Sequence, residues 1–260
     1  MEWAELLTYT PGKDLREGHV FLIDKPLGWT SYNVVGKVKY ALQHRLGLRN
    51  IKVGHAGTLD PLATGLMVVC VGRATKLAQQ YTGEDKTYQA TFALGATTPS
   101  YDLETEIDQH YPTEHVSEEL ISRTAQSFLG VYEQIPPPFS AKRINGRRAY
   151  DMVRAGKDVT LKAVPVRIDR FEIVRIDMPY VIADIQCSKG TYIRSMARDF
   201  GERMESGAHL AGLRRTASGP FSIEEALTVT DFEDWIGLVA KQSTCGDASG
   251  LRQTLPTPDA

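Results

Sequence analysis

Hydrophobic and polar positions change period several times along this chain, and each change marks an element. His19-Val20-Phe21-Leu22-Ile23 is a short apolar run ended by the turn Asp24-Lys25-Pro26-Leu27-Gly28, which predicts a strand. Thr30 or Ser31 then caps a helix in which Val34, Val38 and Leu42 recur one turn apart and which Gly47 stops. Leu66-Met67-Val68-Val69-Cys70-Val71 is apolar without interruption, the pattern of a strand buried on both faces. After a short helix over Ala74 to Gln80, the run Thr87 to Leu94 alternates, with Tyr88, Ala90, Phe92 and Leu94 on one face. Ser117 caps a helix to Leu129 that Gly130 closes, and a strand from Val131 to Ile135 runs into Pro136-Pro137-Pro138, which cannot continue a ladder.

The second half is patterned differently. Lys142 to Arg148 is a basic hairpin-like or loop segment, followed by a short helix ending near Gly156. Strands are expected at Val164 to Ile168, Phe171 to Ile176, Tyr180 to Cys187 and His209 to Thr216, with a helix from Thr191 to Arg203 before the last of them. Ser222-Ile223-Glu224-Glu225 and Thr230-Asp231-Phe232-Glu233 are capping boxes for two helices, the second reaching Val239, and a frayed tail is expected from Gln242. Strands and helices mix without the regular alternation of a doubly wound sheet or barrel. The expected class is therefore α+β, a mixed, mostly antiparallel sheet flanked by helices.

Composition narrows this only a little. An apolar fraction of 42% and a charged fraction of 24% over 260 residues suit a globular chain that folds without staples. Cys70, Cys187 and Cys245 show no metal-ligand spacing, and the first two lie in strand-like runs as buried thiols, which suits a reducing compartment. No apolar run approaches a membrane span and the start lacks a basic secretory region, so the expected location is the cytoplasm. No heptad or long apolar face suggests an obligate oligomer, and a monomer is expected.

The net charge of −2 hides a segregation. Ser140 to Arg175 holds ten Lys and Arg against four acids, whereas Tyr101 to Glu119 holds seven acids and no Lys or Arg. Between Asp24 and Glu84 the only carboxylate is Asp60, among Lys25, Lys37, Lys39, Arg45, Arg49, Lys52, Arg73 and Lys76. Such a distribution gives a nearly neutral protein a face for a polyanion.

Asp60 sits in Gly54-His55-Ala56-Gly57-Thr58-Leu59-Asp60-Pro61-Leu62-Ala63-Thr64-Gly65, where glycines permit a tight path and Pro61 restricts the residue before it. It is either a catalytic carboxylate, acting as nucleophile or as acid and base, or an Asp that bonds its own turn. Ser188-Lys189-Gly190-Thr191-Tyr192-Ile193-Arg194 is the second candidate. Kept extended, it turns Tyr192 and Arg194 to one side, where the guanidinium can pair with Asp60; the alternative is a core-capping Tyr192 and a solvated Arg194. His55 is either a base-contacting wedge or a surface group, and Tyr88 either a stacking platform or core.

The stretch Gly54 to Met67 resembles the signature around the catalytic aspartate of the TruB-type tRNA pseudouridine synthases. Further stretches fit that family in order: Asp24 to Ser31, Lys86-Thr87-Tyr88, Ser188 to Arg194, and Leu213-Arg214-Arg215-Thr216-Ala217-Ser218-Gly219-Pro220-Phe221. Pro136 to Lys142, with Gly146 and Tyr150, resembles the family's RNA-gripping insertion. The resemblance implies a pseudouridine synthase fold over residues 1–236, with that insertion at about 130–160; in a departure from longer family members, a short tail over 237–260 is expected in place of a complete extra RNA-binding domain.

It also implies an activity, the conversion of a uridine in the T loop of tRNA to pseudouridine, with no cofactor and no metal. Asp60 is then the essential carboxylate, Arg194 its ion-pair partner and Tyr192 a phenol near the base. Tyr88 stacks on the target base, Leu213 belongs to the apolar wall, and His55 occupies the space a flipped nucleotide leaves. From charge, and not from the resemblance, Lys25 and its basic neighbours are expected to contact the RNA, and Asp102, in the acidic loop, to order neighbouring arginines. Two other classes remain open: a non-catalytic tRNA-binding or folding factor, and a nucleosidase, against which the lack of a second partnered acid counts.

Overall fold

The computed structural model describes residues 7, 9, 12–139, 143–144, 147–148, 152 and 161–245, with backbone only at 143–144, 147–148 and 242–245. In chain order the strands are β1 (His19–Lys25), β2 (Val53–His55), β3 (Ala63–Val71), β4 (Lys86–Leu94), β5 (Ala96–Thr97), β6 (Gln109–His110), β7 (Gly130–Gln134), β8 (Arg143–Ile144), β9 (Arg147–Arg148), β10 (Val164–Asp177), β11 (Tyr180–Cys187), β12 (Ala208–Ser218), β13 (Phe221–Ser222) and β14 (Leu227–Thr228). The helices are α1 (Ser31–Arg45), α2 (Ala78–Thr82), α3 (Glu118–Gln126), α4 (Ile193–Arg203) and α5 (Val229–Cys245). Two compact units result: described residues up to Glu84 and from Arg215 onward form one, and Asp85–Arg214 the other.

In the first unit β1 pairs antiparallel with β3, from His19 opposite Val71 to Lys25 opposite Gly65, while β2 joins the β3 edge and β14 lies parallel to β1. Both β1, with its apolar centre Val20–Ile23, and β3 are almost entirely buried, as expected of strands covered on both faces. Val20, Leu22, Leu66, Val68 and Cys70 form a core with Ala56, Tyr81 and Phe221. Phe21 packs instead against Phe232 and Trp235 of α5, in edge-to-face contacts with ring centroids 5.0 and 5.4 Å apart. Thr30 caps α1 through a reciprocal box with Asn33, and the face carrying Val34, Val38, Ala41 and Leu42 is buried.

The second unit orders β4, β11, β10 and β7 as antiparallel neighbours. The alternation expected in β4 is present, with Tyr88, Ala90, Phe92 and Leu94 all buried and Gln89 exposed. Phe92, Phe128, Phe171 and Phe200 meet in one aromatic cluster where α4 packs, and Ile121 and Ala125 bury one side of α3. The α+β class holds, with both units built on mostly antiparallel pairings.

Two local expectations change. The segments 164–168 and 171–176 are one strand, β10, whose register shifts between Ile168 and Arg170 and again between Ile173 and Arg175. Asp169 lies in the first irregularity and binds Arg167 at 2.8 Å, so the polar interruption between the two expected strands is a bulge. The last helix is capped by Thr228 with Asp231, two residues before the expected box, and runs to Cys245. Cys70 and Cys187 are buried free thiols. Of the expected RNA-gripping insertion, 140–142, 145–146, 149–151 and 153–160, including the helix ending near Gly156, lie outside the described residues. The paired backbones of β8 and β9 agree with a hairpin there. In the tail, 246–260 lie outside as well.

Candidate active site

The Asp60 turn belongs to the first unit and is tied down at several points. Ser31, at the first position of α1, uses its hydroxyl twice on Leu59, accepting from its N–H at 2.8 Å and donating to its carbonyl at 3.0 Å. The Gly28 N–H donates to the Pro61 carbonyl at 2.9 Å, and the Ala63 N–H to that of Asp60 at 3.1 Å. Gly57 and Gly65 have φ of 104° and 103°, conformations that L side chains rarely adopt. At Gly65 the constraint is also steric, because a Cβ there would lie 2.3 Å from the Arg215 carbonyl oxygen. The resulting path leaves Asp60 half-buried.

Lys25, at the end of β1, is fully buried, and its ammonium donates to the carbonyls of Pro26, Trp29 and Pro61. The expectation of an exposed, phosphate-gripping lysine is corrected here: the last strand residue points inward, so its charge serves the turn. Burial pushes its pKa down to about 8, the nearby Asp60 carboxylate pulls it back up, and the Arg215 guanidinium adds to the depression.

His55 closes β2 and is half-buried, its Nδ1 enclosed without a hydrogen-bond partner. Its pKa lies below the ordinary value because of burial first and the charge of Arg215 second, with the Gly57 backbone partly opposing, so the ring is neutral at pH 7.

Arg215 itself went unassigned in the sequence reading. It is 1% exposed, and its guanidinium donates from Nε to the Leu66 carbonyl at 2.7 Å and from a terminal nitrogen to the Gly57 carbonyl at 3.1 Å. These carbonyls lie on either side of Asp60 along the chain. The sequence signal was its place in the Leu213 to Phe221 stretch.

The second unit carries the other candidates. Tyr88 lies on the buried face of β4, opposite Ile185 of β11, at 9% exposure. Leu213 is half-buried on β12. Tyr192 is the extended residue preceding α4, with φ −101° and ψ 108°. Gln134 fixes its backbone twice, accepting from its N–H at 2.8 Å and donating to its carbonyl at 3.1 Å. This buried glutamine, at the end of β7, is a second positioning group the sequence reading missed.

Arg194 is not in an extended stretch with Tyr192, because α4 begins at Ile193. The strand-alternation argument for a shared side therefore does not apply. Nor is Arg194 solvated: at 6% exposure, its Nε lies 3.6 Å from the Asp102 carboxylate, and it donates to the carbonyls of Ser100 at 3.4 Å and Phe139 at 2.9 Å. Asp102 thus orders an arginine as anticipated. Its neighbour Tyr101 has a φ of 64°, an uncommon conformation for a bulky residue, within a loop closed by the bond from the Leu210 N–H to the Tyr101 carbonyl.

Residues 43–193 match the model of the TruB family pseudouridylate synthase N-terminal domain, and residues 194–257 match the tRNA pseudouridylate synthase B C-terminal domain. The chain belongs to the TruB family. Its relatives include proteins named tRNA pseudouridine synthase B from Phocaeicola vulgatus and Flavobacterium johnsoniae. The first is 52% identical over 86% of this chain and 95% of that protein; the second is 52% identical over 84% and 96%. Among solved structures, a Cbf5-Nop10-Gar1 complex contains a chain that aligns with a TM-score of 0.68 at 28% identity, covering 92% of this chain and 61% of that one. The fold is that of the pseudouridine synthases, as the TruB resemblance implied. Among the described residues no helix is long and apolar enough to cross a membrane, and no group of three or more His, Cys, Asp or Glu is arranged to hold a metal.

Proposed function

We propose that this chain converts a uridine of tRNA to pseudouridine, with the target in the T loop. Membership of the TruB family, with close relatives named tRNA pseudouridine synthase B over nearly their whole length, carries the reading. The reaction is an isomerisation: the bond from N1 to C1′ breaks, the uracil turns, a bond from C5 to C1′ forms, the C5 proton leaves and N1 gains one. No electron is gained or lost and no group is donated.

Asp60 is assigned as the essential carboxylate. Supporting this, it is the single acid in a long basic interval and lies in a turn held from beneath by buried cations. The target must leave its stack, at a cost of a few kcal/mol, which aromatic and basic contacts offset. Tyr88 stacks on the base, Leu213 lines the apolar wall, and Tyr192 is the phenol near C5. His55, neutral at pH 7, stands where the flipped nucleotide was. Arg194 is assigned as the partner of the Asp60 carboxylate; its own enclosure by Asp102 and two carbonyls supports a guanidinium held in one position. Exposed cations such as Lys39, Arg45, Arg49 and Lys52 give tRNA phosphates a counterpart on the first unit, so binding weakens as salt rises. The chain acts as a monomer, in the cytoplasm.

The test uses tRNA transcripts labelled with tritium at uridine C5. Wild-type protein releases the label and leaves pseudouridine in the T loop. Asp60→Asn retains tRNA binding and releases none. Normal turnover by that variant would leave the carboxylate without its assigned role, and free uracil as product would replace the isomerase with a nucleosidase.

A further inference from the structure

We propose that Arg215 is a positioning residue for Asp60, its guanidinium bridging the Gly57 and Leu66 carbonyls and so fixing the direction of the carboxylate between them. The proposal deepens the isomerase reading and rests on it for its catalytic consequence.

The turn needs such a device. Between Gly57 and Leu66 the chain includes two glycines at positive φ, and glycine has more freedom to lose than any other residue. A carboxylate on a loose turn samples many directions, whereas chemistry at one sugar or base atom requires one. Arg215 supplies two charge-assisted bonds, at 2.7 Å to Leu66 and 3.1 Å to Gly57, from a planar fork of fixed geometry. Its backbone is placed for this by Gly65, where any side chain would collide with the Arg215 carbonyl and N–H. Lys25 grips a third point, the Pro61 carbonyl next to Asp60. The turn is therefore held at both ends and immediately beside the acid.

The residue type matters as much as the charge. A lysine at 215 keeps the positive charge but replaces a planar fork with a single ammonium, which cannot reproduce both of these fixed directions. A methionine keeps most of the volume and removes both donors. Neither change touches substrate directly, because Arg215 is 1% exposed.

The experiment compares wild type with Arg215→Lys and Arg215→Met in three measurements: single-turnover pseudouridine formation, tRNA affinity, and hydrogen exchange of the peptide spanning residues 54–67. Positioning predicts a rate lower by on the order of 10²-fold in both variants, the loss expected from small misplacement of a reacting group. Affinity stays within about twofold, because the RNA-facing surface is intact. Exchange rises in the turn while β1 keeps its protection.

A rate within about threefold of wild type overturns the proposal. So does a rate loss accompanied by equal loosening of β1, which is what a merely structural buried arginine would give. Should Arg215→Met fail to fold, Arg215→Lys decides by the same criteria. Should wild type form no pseudouridine, the functional reading falls on its own, and the exchange data still judge the clamp: a turn no more mobile in the variants rejects it.

Discussion

The Asp60 turn and the start of α4 each enclose an arginine, and they satisfy it in different ways. Arg215 gives its protons to two uncharged carbonyls and keeps a field that reaches Lys25 and His55, lowering the pKa of both. Arg194 also binds two carbonyls but faces a carboxylate, Asp102, across a distance of 3.6 Å, both side chains being 6% exposed. Carbonyl bonding fixes backbone and preserves positive potential around an acid that must remain reactive. Ion pairing fixes a side chain while offsetting the charge that burial would otherwise penalise.

The strongest way to break this contrast is Asp102→Asn, which keeps the shape and removes the negative charge. Deleting one partner of a buried pair typically costs about 3–5 kcal/mol, and the carbonyl bonds that remain to Arg194 place the expected loss near 3 kcal/mol. Urea denaturation measures it as a lower midpoint. A change below about 0.5 kcal/mol would show that Arg194 does not depend on the Asp102 charge, and the contrast between the two regions would fall.

His19 sharpens the comparison from the other side, as a buried group of the first unit with no partner on either ring nitrogen. It packs against Phe21 with ring centroids 4.4 Å apart, and burial, helped by the charge of Lys13, drives its pKa down to about 3. The unfolded chain takes up a proton near pH 6.5, while the folded one refuses it until about pH 3. Its effect is therefore absent above pH 6.5, and stability declines as pH falls below that value, by up to ~1.4 kcal/mol per unit. Between pH 7 and 5 wild type should lose about 2 kcal/mol more than His19→Phe, read from denaturation midpoints at both pH values. Parallel losses in the two proteins would mean that His19 stays protonatable in the fold.

How much of this was legible in the sequence divides by range. Strands β1, β3 and β4 and the caps at Thr30, Ser117 and Ser222 depend on neighbours a few residues apart, so periodicity and capping chemistry found them. Asp60 stood out because charge is counted along the chain, and the ordered family stretches supplied roles for Tyr88, Tyr192, Arg194 and Leu213. The supports beneath those residues were not legible. Arg215 meets Gly57 across 158 positions, and Gln134 meets Tyr192 across 58, and no local pattern joins either residue to its partner. Lys25 read as an RNA contact because its charge is visible in sequence while its inward direction is not. The segments 164–168 and 171–176 read as two strands because the polar break at Asp169 and Arg170 looks the same whether it ends a strand or forms a bulge.

The smallest expected effect tests whether buried electrostatics, and not backbone propensity, set the difference between the regions. Gly36 is exposed in the middle of α1, and an added Cβ would meet no heavy atom within 4 Å. Helical alanine is favoured over glycine by roughly 0.5–1 kcal/mol, through the entropy glycine loses on folding. Gly36→Ala should therefore stabilise the protein by that amount, raising the melting temperature by about 2 °C in a chain of this size. The Asp60 turn, which α1 supports through Ser31 directly after its Thr30 cap, should not change in activity. Lower tRNA affinity in Gly36→Ala would instead reveal that RNA approaches this helix closely enough to require the missing side chain.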